Sequence, residues 1–383
     1  MASSTISSGN VVTRFKKKVL REYVRGGRFG PVTGTDENKV IQITRELKKC
    51  SLPLVGKVEG PGVRGSTQLS GSEQALSNYA YLLTPTYHRQ GVLIDNEERE
   101  KSEFDLFKEA RPGLMNWMME TKRDQMIQAF GAIEAGGTYY NYGGIEASGA
   151  TGSSAASAAN MDTWLTNNAD RVMYGTATAF TAGDHTTSLG NIASTEVMSS
   201  DLVEILKRKA QDANPLIRPI MVKEDEPWYV LYLGKYAFRD LRDDTTLLAS
   251  MQNALARNRD NPLFSGGDLL WDGVVIKEVP DIDKFIDSSA GGLWDGVWGA
   301  GAASGDGLDD GGTTGRLSMG FFCGAQALGF GIGKTASFKR RKEDDYEHLN
   351  GVAISAKHDI KKTFYNGKQH GMLTTFHAAA LDA

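Results

Sequence analysis

The 383-residue sequence predicts a mixed fold of the α+β class, with helices and strands in successive segments. Three observations support this prediction. A helical pattern of apolar residues covers 102–133, strand-like patterns fill 52–94, and helical and strand-like patterns follow one another over 200–279. A chain of this length can form two or three compact units, and it shows no repeat of fixed period.

A basic arm forms the first 50 residues. This segment holds eleven lysines and arginines against four acidic residues, a net charge of +7, so the remainder must carry −11 to reach the total of −4. Val12, Phe15, Val19 and Tyr23 recur at helical spacing, which predicts an amphipathic helix with a basic back. Glycines after Arg25 end it in a flexible hinge. Such an arm can bind nucleic acid, bind an acidic neighbouring subunit, or present a solvated helix face.

A long β-hairpin is predicted at 51–95. Two strand-like segments flank the glycine-rich stretch 60–67, and alternation in the second segment places Tyr79, Tyr81, Leu83 and Tyr87 on one face. Because a two-stranded hairpin alone is marginal in water, this apolar face must rest on its own subunit or on a neighbour.

The helical pattern at 102–133 predicts one long helix of about 48 Å at 1.5 Å per residue. Acidic residues crowd its beginning, as the helix dipole favours, and Gly136 and Gly137 follow its end. Pro112 is expected to kink the helix or to restart it near Arg111. The segment 136–160, rich in Gly, Ala and Ser, is predicted to be a surface loop.

The remaining segments predict a mixed domain. Ser200 is expected to cap one helix, and a second helix is expected over 237–256. A glycine-interrupted apolar run at 316–332 indicates a buried strand or a pair of strands, and 291–315 indicates a second glycine-rich loop. Further strands are predicted at 217–222, 228–233 and 274–279.

No pattern identifies a catalytic, cofactor or metal site. The segment 329–335 ends in Gly-Lys-Thr, but Leu328 stands where a phosphate-binding P-loop needs glycine, so a glycine-rich strand is the better interpretation. The six histidines lack the spacing of a metal site, and His370 and His377 are expected at the surface or in an interface. The aspartates in 291–315 lack the spacing of a calcium loop. We therefore predict a protein that is not an enzyme.

The composition predicts a soluble globular chain that remains in the compartment where it is made. Cys50 and Cys323 stand alone in the sequence, which predicts reduced thiols without a disulfide or a zinc site. No run approaches the roughly 20 apolar residues that a membrane span requires, and the first ten residues lack the apolar core of a secretory signal.

Several local phrases resemble the phage N-four-type major capsid family, whose members have the HK97 fold. The resemblance covers most of the chain from Leu52 onward, and the order of arm, glycine-tipped hairpin, long helix and mixed domain also matches the family. The phrases are TQLSGSE at 67–73, RQGV at 89–92, MDTW at 161–164, NADRV at 168–172, NPLFSGG at 261–267 and WDGV at 271–274.

This resemblance implies an HK97-like capsid fold. It assigns the N-terminal basic arm to 1–50, the E-loop hairpin to 51–95, the P-domain with its spine helix to 96–200, the A-domain to 201–335, and the return to the P-domain to 336–383. The chain would be a major capsid protein that assembles as hexamers and pentamers into an icosahedral shell around phage double-stranded DNA. The shell would form in the bacterial host cytoplasm and become part of the virion.

The resemblance also implies partners and contact residues. Partners would be further copies of the chain, a portal protein, scaffolding and decoration proteins, and packaged DNA bound non-specifically; no membrane, cofactor or metal is expected. Family members can be locked by a Lys to Asn cross-link, but we expect Lys57 to be a surface charge. The expected E-loop contacts are Lys57, Arg64, Leu69, Tyr79, Tyr81 and Leu83. The arm residues expected to face the interior or a neighbour are Arg14, Lys17, Lys18, Arg21 and Arg25.

Three alternatives remain at this point. An encapsulin-like nanocompartment would share the fold and enclose enzyme cargo in place of a genome. A soluble nucleic-acid-binding protein would act through the arm alone, as a small oligomer whose DNA affinity disappears when 1–30 are removed. A phosphate-binding enzyme around Lys334 is the last possibility, and undetectable nucleotide binding would dispose of it.

Overall fold

The computed structural model describes most of the chain outside the arm. The described residues are 28–45, 49–58, 60, 62–66, 68–71, 73, 75–76, 78–95, 106–140, 157–176, 178–221, 226–253, 268–286, 316–344, 349–379 and 382. The predicted arm helix, the glycine-rich loop at 291–315, most of the loop at 136–160 and the phrase at 261–267 therefore lie outside the described residues.

Helices and strands alternate through the described chain. The helices are α1 (Leu106–Phe130), α2 (Ala158–Asn167), α3 (His185–Gly190), α4 (Ser200–Asp212), α5 (Lys235–Asp243), α6 (Thr245–Asn253) and α7 (Asp281–Ile286). The first strands are β1 (Thr33–Gly34), β2 (Ile41–Arg45), β3 (Cys50–Val55), β4 (Asn78–Leu83), β5 (Thr86–Asp95), β6 (Ile133–Ala135), β7 (Thr138–Tyr140), β8 (Val172–Tyr174) and β9 (Ile220–Met221). The later strands are β10 (Pro227–Leu233), β11 (Leu269–Trp271), β12 (Val274–Glu278), β13 (Leu317–Cys323), β14 (Leu328–Asp344), β15 (Leu349–Lys362), β16 (Phe364–Tyr365), β17 (Lys368–Gln369) and β18 (Met372–Ala378). The mixed fold class is confirmed.

The chain divides into two compact units, and α1, β14 and β15 run from one into the other. The larger unit comprises Gly27–Thr86, Thr121–Lys334 and Lys357–Ala383. Its central sheet has the order β11-β12-β10-β13-β18-β8, with β9 paired to β10. Strand β10 runs parallel to β12 and antiparallel to β13, and β18 joins β13 antiparallel and β8 parallel.

Both faces of this central sheet are covered by apolar clusters. Alternate residues of β10 point to opposite sides, so that Val230 and Tyr232 join one cluster while Leu231 and Leu233 join the other. A strand covered on both faces reads as a continuous apolar run, which explains the sequence WYVLYL of β10. The residues that form these two clusters come from segments far apart in the sequence.

The smaller unit comprises Met1–Gly26, Tyr87–Glu120 and Thr335–Ala356. Within its described part, the first half of α1 packs Leu114 and Met118 onto Val352, Ile354 and Ala356 of β15. The alternation of buried and half-buried residues along β15 is the pattern of a strand with one face on a core.

Three predictions about the helices need correction. The helix expected over 237–256 is two helices, because Asp244 breaks it: its carboxylate accepts the backbone N–H of Thr246 at 2.9 Å and that of Ser200 at 2.7 Å. The cap of α4 is Ser199, one residue earlier than expected, whose hydroxyl accepts the Leu202 N–H. Helix α1 continues through Pro112 without restarting, since a proline removes only one hydrogen bond from a helix of 25 residues.

The strand predictions also need adjustment. The return of the hairpin is not one strand, because β4 ends at Leu83 and β5 begins at Thr86, on either side of Pro85, which has no N–H to donate. The run at 316–332 is a pair of strands, one of the two expected possibilities, and the second of them, β14, extends beyond the run to Asp344. Strand β7 occupies the start of the predicted loop at 136–160.

Candidate inter-subunit surface

The hairpin formed by β3 and β4 carries the predicted contact residues of the E-loop. The two strands pair antiparallel, with Cys50 opposite Leu83, Leu52 opposite Tyr81 and Leu54 opposite Tyr79. Opposed residues of an antiparallel pair lie on the same face, so these three pairs form one stripe along the hairpin. The stripe runs from the base, at Cys50 and Leu83, toward the glycine-rich tip.

The base of this stripe is buried within the chain itself. Cys50, Leu52 and Leu83 form a small apolar cluster, and Tyr81 packs against it. The ring of Tyr365 meets that of Tyr81 edge-on at 6.2 Å, and burial raises the pKa of Tyr81 well above its ordinary value. Leu83 has no exposed surface, which corrects its assignment as an inter-subunit contact: it packs under its own subunit's strands.

The distal part of the hairpin is exposed. Tyr79 and Leu69 keep 39% and 56% of their surface, and Lys57 and Arg64 are exposed as well. Four further apolar residues share this exposure although the sequence alone did not single them out: Val55, Val58, Leu76 and Leu82. The sequence contained part of this information, because strand alternation places Val55 and Leu82 on the second face of the hairpin.

The described chain begins at residue 28, next to a phenylalanine that packs in the core of the larger unit. Phe29 is buried, and its ring lies 5.8 Å from that of Phe130 and 5.2 Å from that of Tyr232. Beside it, the guanidinium of Arg28 lies 3.6 Å from the Asp268 carboxylate. The five predicted arm residues themselves lie outside the described part of the chain, so their expected role stays a prediction.

The glycine-rich motif is part of a strand. Residues 329–335 fall inside β14, whose extended backbone does not form the loop that wraps a phosphate. Across the described ranges, no three His, Cys, Asp or Glu side chains come together as metal ligands would, and no helix is both long and apolar enough to cross a membrane. Cys50 and Cys323 are both buried and free.

The two histidines expected at the surface or in an interface are less exposed than expected. His377 in β18 is fully buried, since apolar clusters cover both faces of the central sheet. Burial lowers the pKa of His377 to about 3. His370 is half-buried, and burial together with the charges of Arg171 and Arg218 lowers its pKa to about 4.

A buried lysine binds backbone carbonyl groups at the C-terminal end of α1 and just after it. The Lys362 ammonium donates hydrogen bonds to the carbonyl oxygens of Phe130 and Ala132, both at 3.2 Å. Carbonyl groups at a helix end lack partners within the helix, and a cation there also complements the helix dipole. Burial lowers the pKa of Lys362 to about 7. These contacts are structural, and they fix α1 to β15 within the larger unit.

Comparison with known proteins gives consistent similarities. A family model described as "Phage capsid protein" matches residues 3–381. The major capsid protein of Pseudomonas phage KPP25 is 25% identical over 332 residues, covering 84% of this chain and 81% of that protein. Among solved structures, the cyanophage Pam1 capsid asymmetric unit matches with a TM-score of 0.83 and 30% identity over 100% of both chains. The capsid of Ralstonia phage GP4 matches with a TM-score of 0.69 and 21% identity over 100% of this chain and 99% of that one.

Proposed function

This chain belongs to the phage capsid protein family, and we propose that it is the major capsid protein whose copies build the icosahedral shell of a bacteriophage. Its fold is the HK97-like fold of phage capsids. We propose further that the copies assemble as hexamers and pentamers and that the shell encloses double-stranded DNA. Family membership favours this function over the nanocompartment and the soluble nucleic-acid-binding protein.

The structural observation that supports this proposal is the exposed distal part of the hairpin. Six large apolar side chains within 55–82 keep between 39% and 64% of their surface exposed. Soluble monomers seldom expose many large apolar side chains in one segment unless another molecule covers them. Covering apolar surface contributes about 25 cal/mol per Å². A neighbouring copy of the same chain is the partner that a shell supplies at every position.

The proposed domain assignment follows the family. The arm covers 1–50, the E-loop 51–95, the P-domain with α1 as its spine helix 96–200, the A-domain 201–335, and the return to the P-domain 336–383. The unbroken helix α1 and the long strands β14 and β15 support the P-domain assignment. The apolar sheet centred on β10 and β12 supports the A-domain assignment.

The proposed partners are those that a phage shell requires. A portal protein would occupy one vertex, scaffolding proteins would guide assembly, decoration proteins would bind outside, and DNA would contact the basic arm without sequence preference. Assembly would take place in the cytoplasm of the bacterial host. We propose no catalytic, cofactor or membrane-binding role.

Expression of the full chain alone tests the function. Light scattering and negative-stain electron microscopy should show closed shells or rings of hexamer size. A chain that stays monomeric even with its candidate scaffolding protein would contradict the proposal. Shells that enclose an enzyme encoded beside the gene would favour the nanocompartment. A small oligomer that loses DNA affinity on removal of 1–30 would favour the nucleic-acid-binding protein.

A further inference from the structure

We propose that Gly329, Gly331 and Gly333 of β14 form a seat for the base of the hairpin, and that this seat fixes the direction in which the hairpin leaves its own subunit. The glycine-rich motif then has a purpose in assembly. This inference rests on the proposed function, because the direction of the hairpin matters only if its tip must meet a neighbouring copy.

The three glycines meet successive residues of the hairpin base. A Cβ atom on Gly329 would lie 2.8 Å from Leu52 Cδ1 and 3.2 Å from Leu83 Cδ1. One on Gly331 would lie 3.5 Å from Leu83 Cβ and 3.5 Å from a ring carbon of Pro85. The base of the hairpin therefore lies close to the backbone of β14, and at Gly329 it lies closer than an added Cβ atom would allow.

The next glycine continues the same path. A Cβ atom on Gly333 would lie 3.3 Å from Pro85 Cβ and 3.0 Å from Lys357 Cδ. Alternate residues of a strand share one face, so the three glycines form a continuous track two residues apart. The track ends where β5 begins.

Space, and not backbone conformation, accounts for these glycines. Glycine in the interior of a strand weakens it and often marks a place where another backbone approaches closely. Several glycines of this chain have a positive φ, such as Gly62 and Gly65 near the hairpin tip, but none of the three seat glycines is among them. An L-residue could adopt their backbone geometry. At Gly329 the added Cβ atom would meet the hairpin, and at Gly333 it would meet Lys357 of β15 as well as Pro85.

The opposite face of β14 holds the strand in place. Phe330 is buried in the main apolar cluster, and Ile332 packs against it. In addition, β2 runs parallel to this part of β14, with Ile43 opposite Phe330. Because the strand is held by its core face, a side chain added on the seat face would displace the hairpin before it displaced the strand.

A second set of contacts holds the hairpin at its base. The Thr84 backbone N–H donates to the Asp359 carboxylate at 2.7 Å, just after β4 ends. The Tyr365 hydroxyl donates to the Leu52 carbonyl at 3.5 Å. These contacts lie beside the seat and none reaches the tip, so the base is fixed while the distal strands remain exposed.

A graded pair of substitutions tests the seat. Gly329→Ala places a methyl group at 2.8 Å from Leu52, whereas Gly331→Ala places one at 3.5 Å, an ordinary contact. Hydrogen exchange of the unassembled full-length chain should show amides of β3 and β4 exchanging about tenfold faster in G329A, with β13 and β18 unchanged. G331A should show a smaller increase than G329A. Gly190→Ala in α3, where an added Cβ atom meets nothing within 4 Å, is the matched control and should exchange like the natural chain. Equal exchange in G329A and the natural chain would overturn the proposal.

A rescue variant separates a displaced hairpin from a misfolded chain. Leu52→Ala removes the nearer of the two leucine side chains that a Cβ atom on Gly329 would meet and leaves Leu83 Cδ1 at 3.2 Å, so G329A should raise hairpin exchange by less in the L52A background than in the natural one. If G329A costs as much in the L52A background as in the natural one, the seat does not act through this contact and the proposal is wrong. This comparison is informative even if G329A alone folds poorly.

Electron microscopy of the same variants links the seat to the shell. G329A should give fewer closed shells and more open or irregular particles than the control G190A at equal protein concentration. Normal shells from a G329A chain whose hairpin exchanges faster would show that the seat does not direct assembly. If the natural chain itself forms no shells, the proposed function fails, while the exchange data on the unassembled chain still decide whether the seat exists.

Discussion

Two antiparallel strand pairs of similar length differ sharply in this protein. Strands β13 and β18 share seven residue pairs, and every residue of both strands is buried. Strands β3 and β4 share six pairs, yet only Cys50, Leu52 and Leu83 are buried. The first pair lies wholly within the core of the folded subunit. The second is covered at its base by its own chain, and its distal apolar side chains are exposed.

This difference teaches how one chain serves two tasks. Folding needs a core whose stability does not depend on neighbours, and assembly needs apolar surface that stays exposed until a neighbour arrives. If the two tasks are separated in this way, substitutions in the β13–β18 pair should change the free energy of unfolding. Substitutions in the distal hairpin should change assembly instead.

The largest effect is expected at the centre of the core pair. Phe321 is fully buried in β13, and its ring stacks on that of Phe130 at 5.5 Å. Phe321→Ala should lower the free energy of unfolding by about 3–5 kcal/mol, because it removes buried apolar surface and leaves a cavity. Denaturant unfolding of the unassembled chain measures this change. A loss below about 1 kcal/mol would show that the pair does not carry the stability assigned to it.

Acid should also weaken the core, and the sign follows from the pKa values of two histidines. The pKa values of His377 and His370 are lowered to about 3 and about 4 in the folded chain. Below about pH 6.5 the unfolded chain takes up these protons first, so stability falls as the pH falls toward the folded values. Each histidine should contribute a loss of about 1.4 kcal/mol per pH unit in this range.

Unfolding curves between pH 7 and pH 4.5 test this pH dependence. His377→Leu should flatten the slope by the share that this histidine contributes. The segment 50–83 contains no histidine, so hydrogen exchange of the hairpin should be less sensitive to acid than that of β18. An equal dependence of the free energy of unfolding on pH in H377L and the natural chain would contradict the lowered pKa of His377.

The distal hairpin should show the reverse behaviour. Replacing Val58, Leu69 and Leu76 together by serine should change the free energy of unfolding by no more than about 0.5 kcal/mol per site, because all three side chains are exposed. Assembly should require at least about tenfold more protein, since each subunit loses apolar surface that a neighbour would cover. Light scattering as a function of concentration measures the assembly threshold.

A matched control is available outside the hairpin. Leu216 keeps 64% of its surface, as Val58 does, but lies between α4 and β9. Leu216→Ser should change neither stability nor the assembly threshold. If the triple serine variant assembles like the natural chain, the distal hairpin is not the contact surface.

The smallest effect is expected at Lys57. This side chain is exposed in the hairpin, and exposed charges contribute little to stability. Lys57→Ala should leave unfolding and assembly within about 0.5 kcal/mol of the natural chain. Subunits from assembled shells should also run as single chains on a denaturing gel. A ladder of linked subunits that disappears in K57A would show a covalent role that we do not expect.

Much of the fold could be predicted because its signals are local. The glycine-rich stretch at 60–67 and the alternation that follows it predicted the hairpin, and the periodic apolar residues after 102 predicted α1. The break at Asp244 was missed because an aspartate that caps the next helix looks, in sequence, like any polar residue on a helix surface.

The residues of the candidate surface were harder to predict, because exposure depends on what lies across from a residue in space. Leu83 and Tyr79 share one face of β4, yet the first is fully buried and the second is exposed. The burial of Leu83 depends on the approach of β14, which begins 245 residues later in the chain, at Leu328. His377 was missed for the same reason, since nothing near it in sequence shows that apolar clusters cover both faces of the central sheet.

A cryo-electron microscopy structure of the shell assembled from the purified chain tests the central claim most directly. We expect Val58, Leu69 and Leu76 to be buried against a neighbouring copy, while β13 and β18 keep the packing that they have in the single chain. A closed shell in which these three side chains remain exposed to solvent would contradict the account.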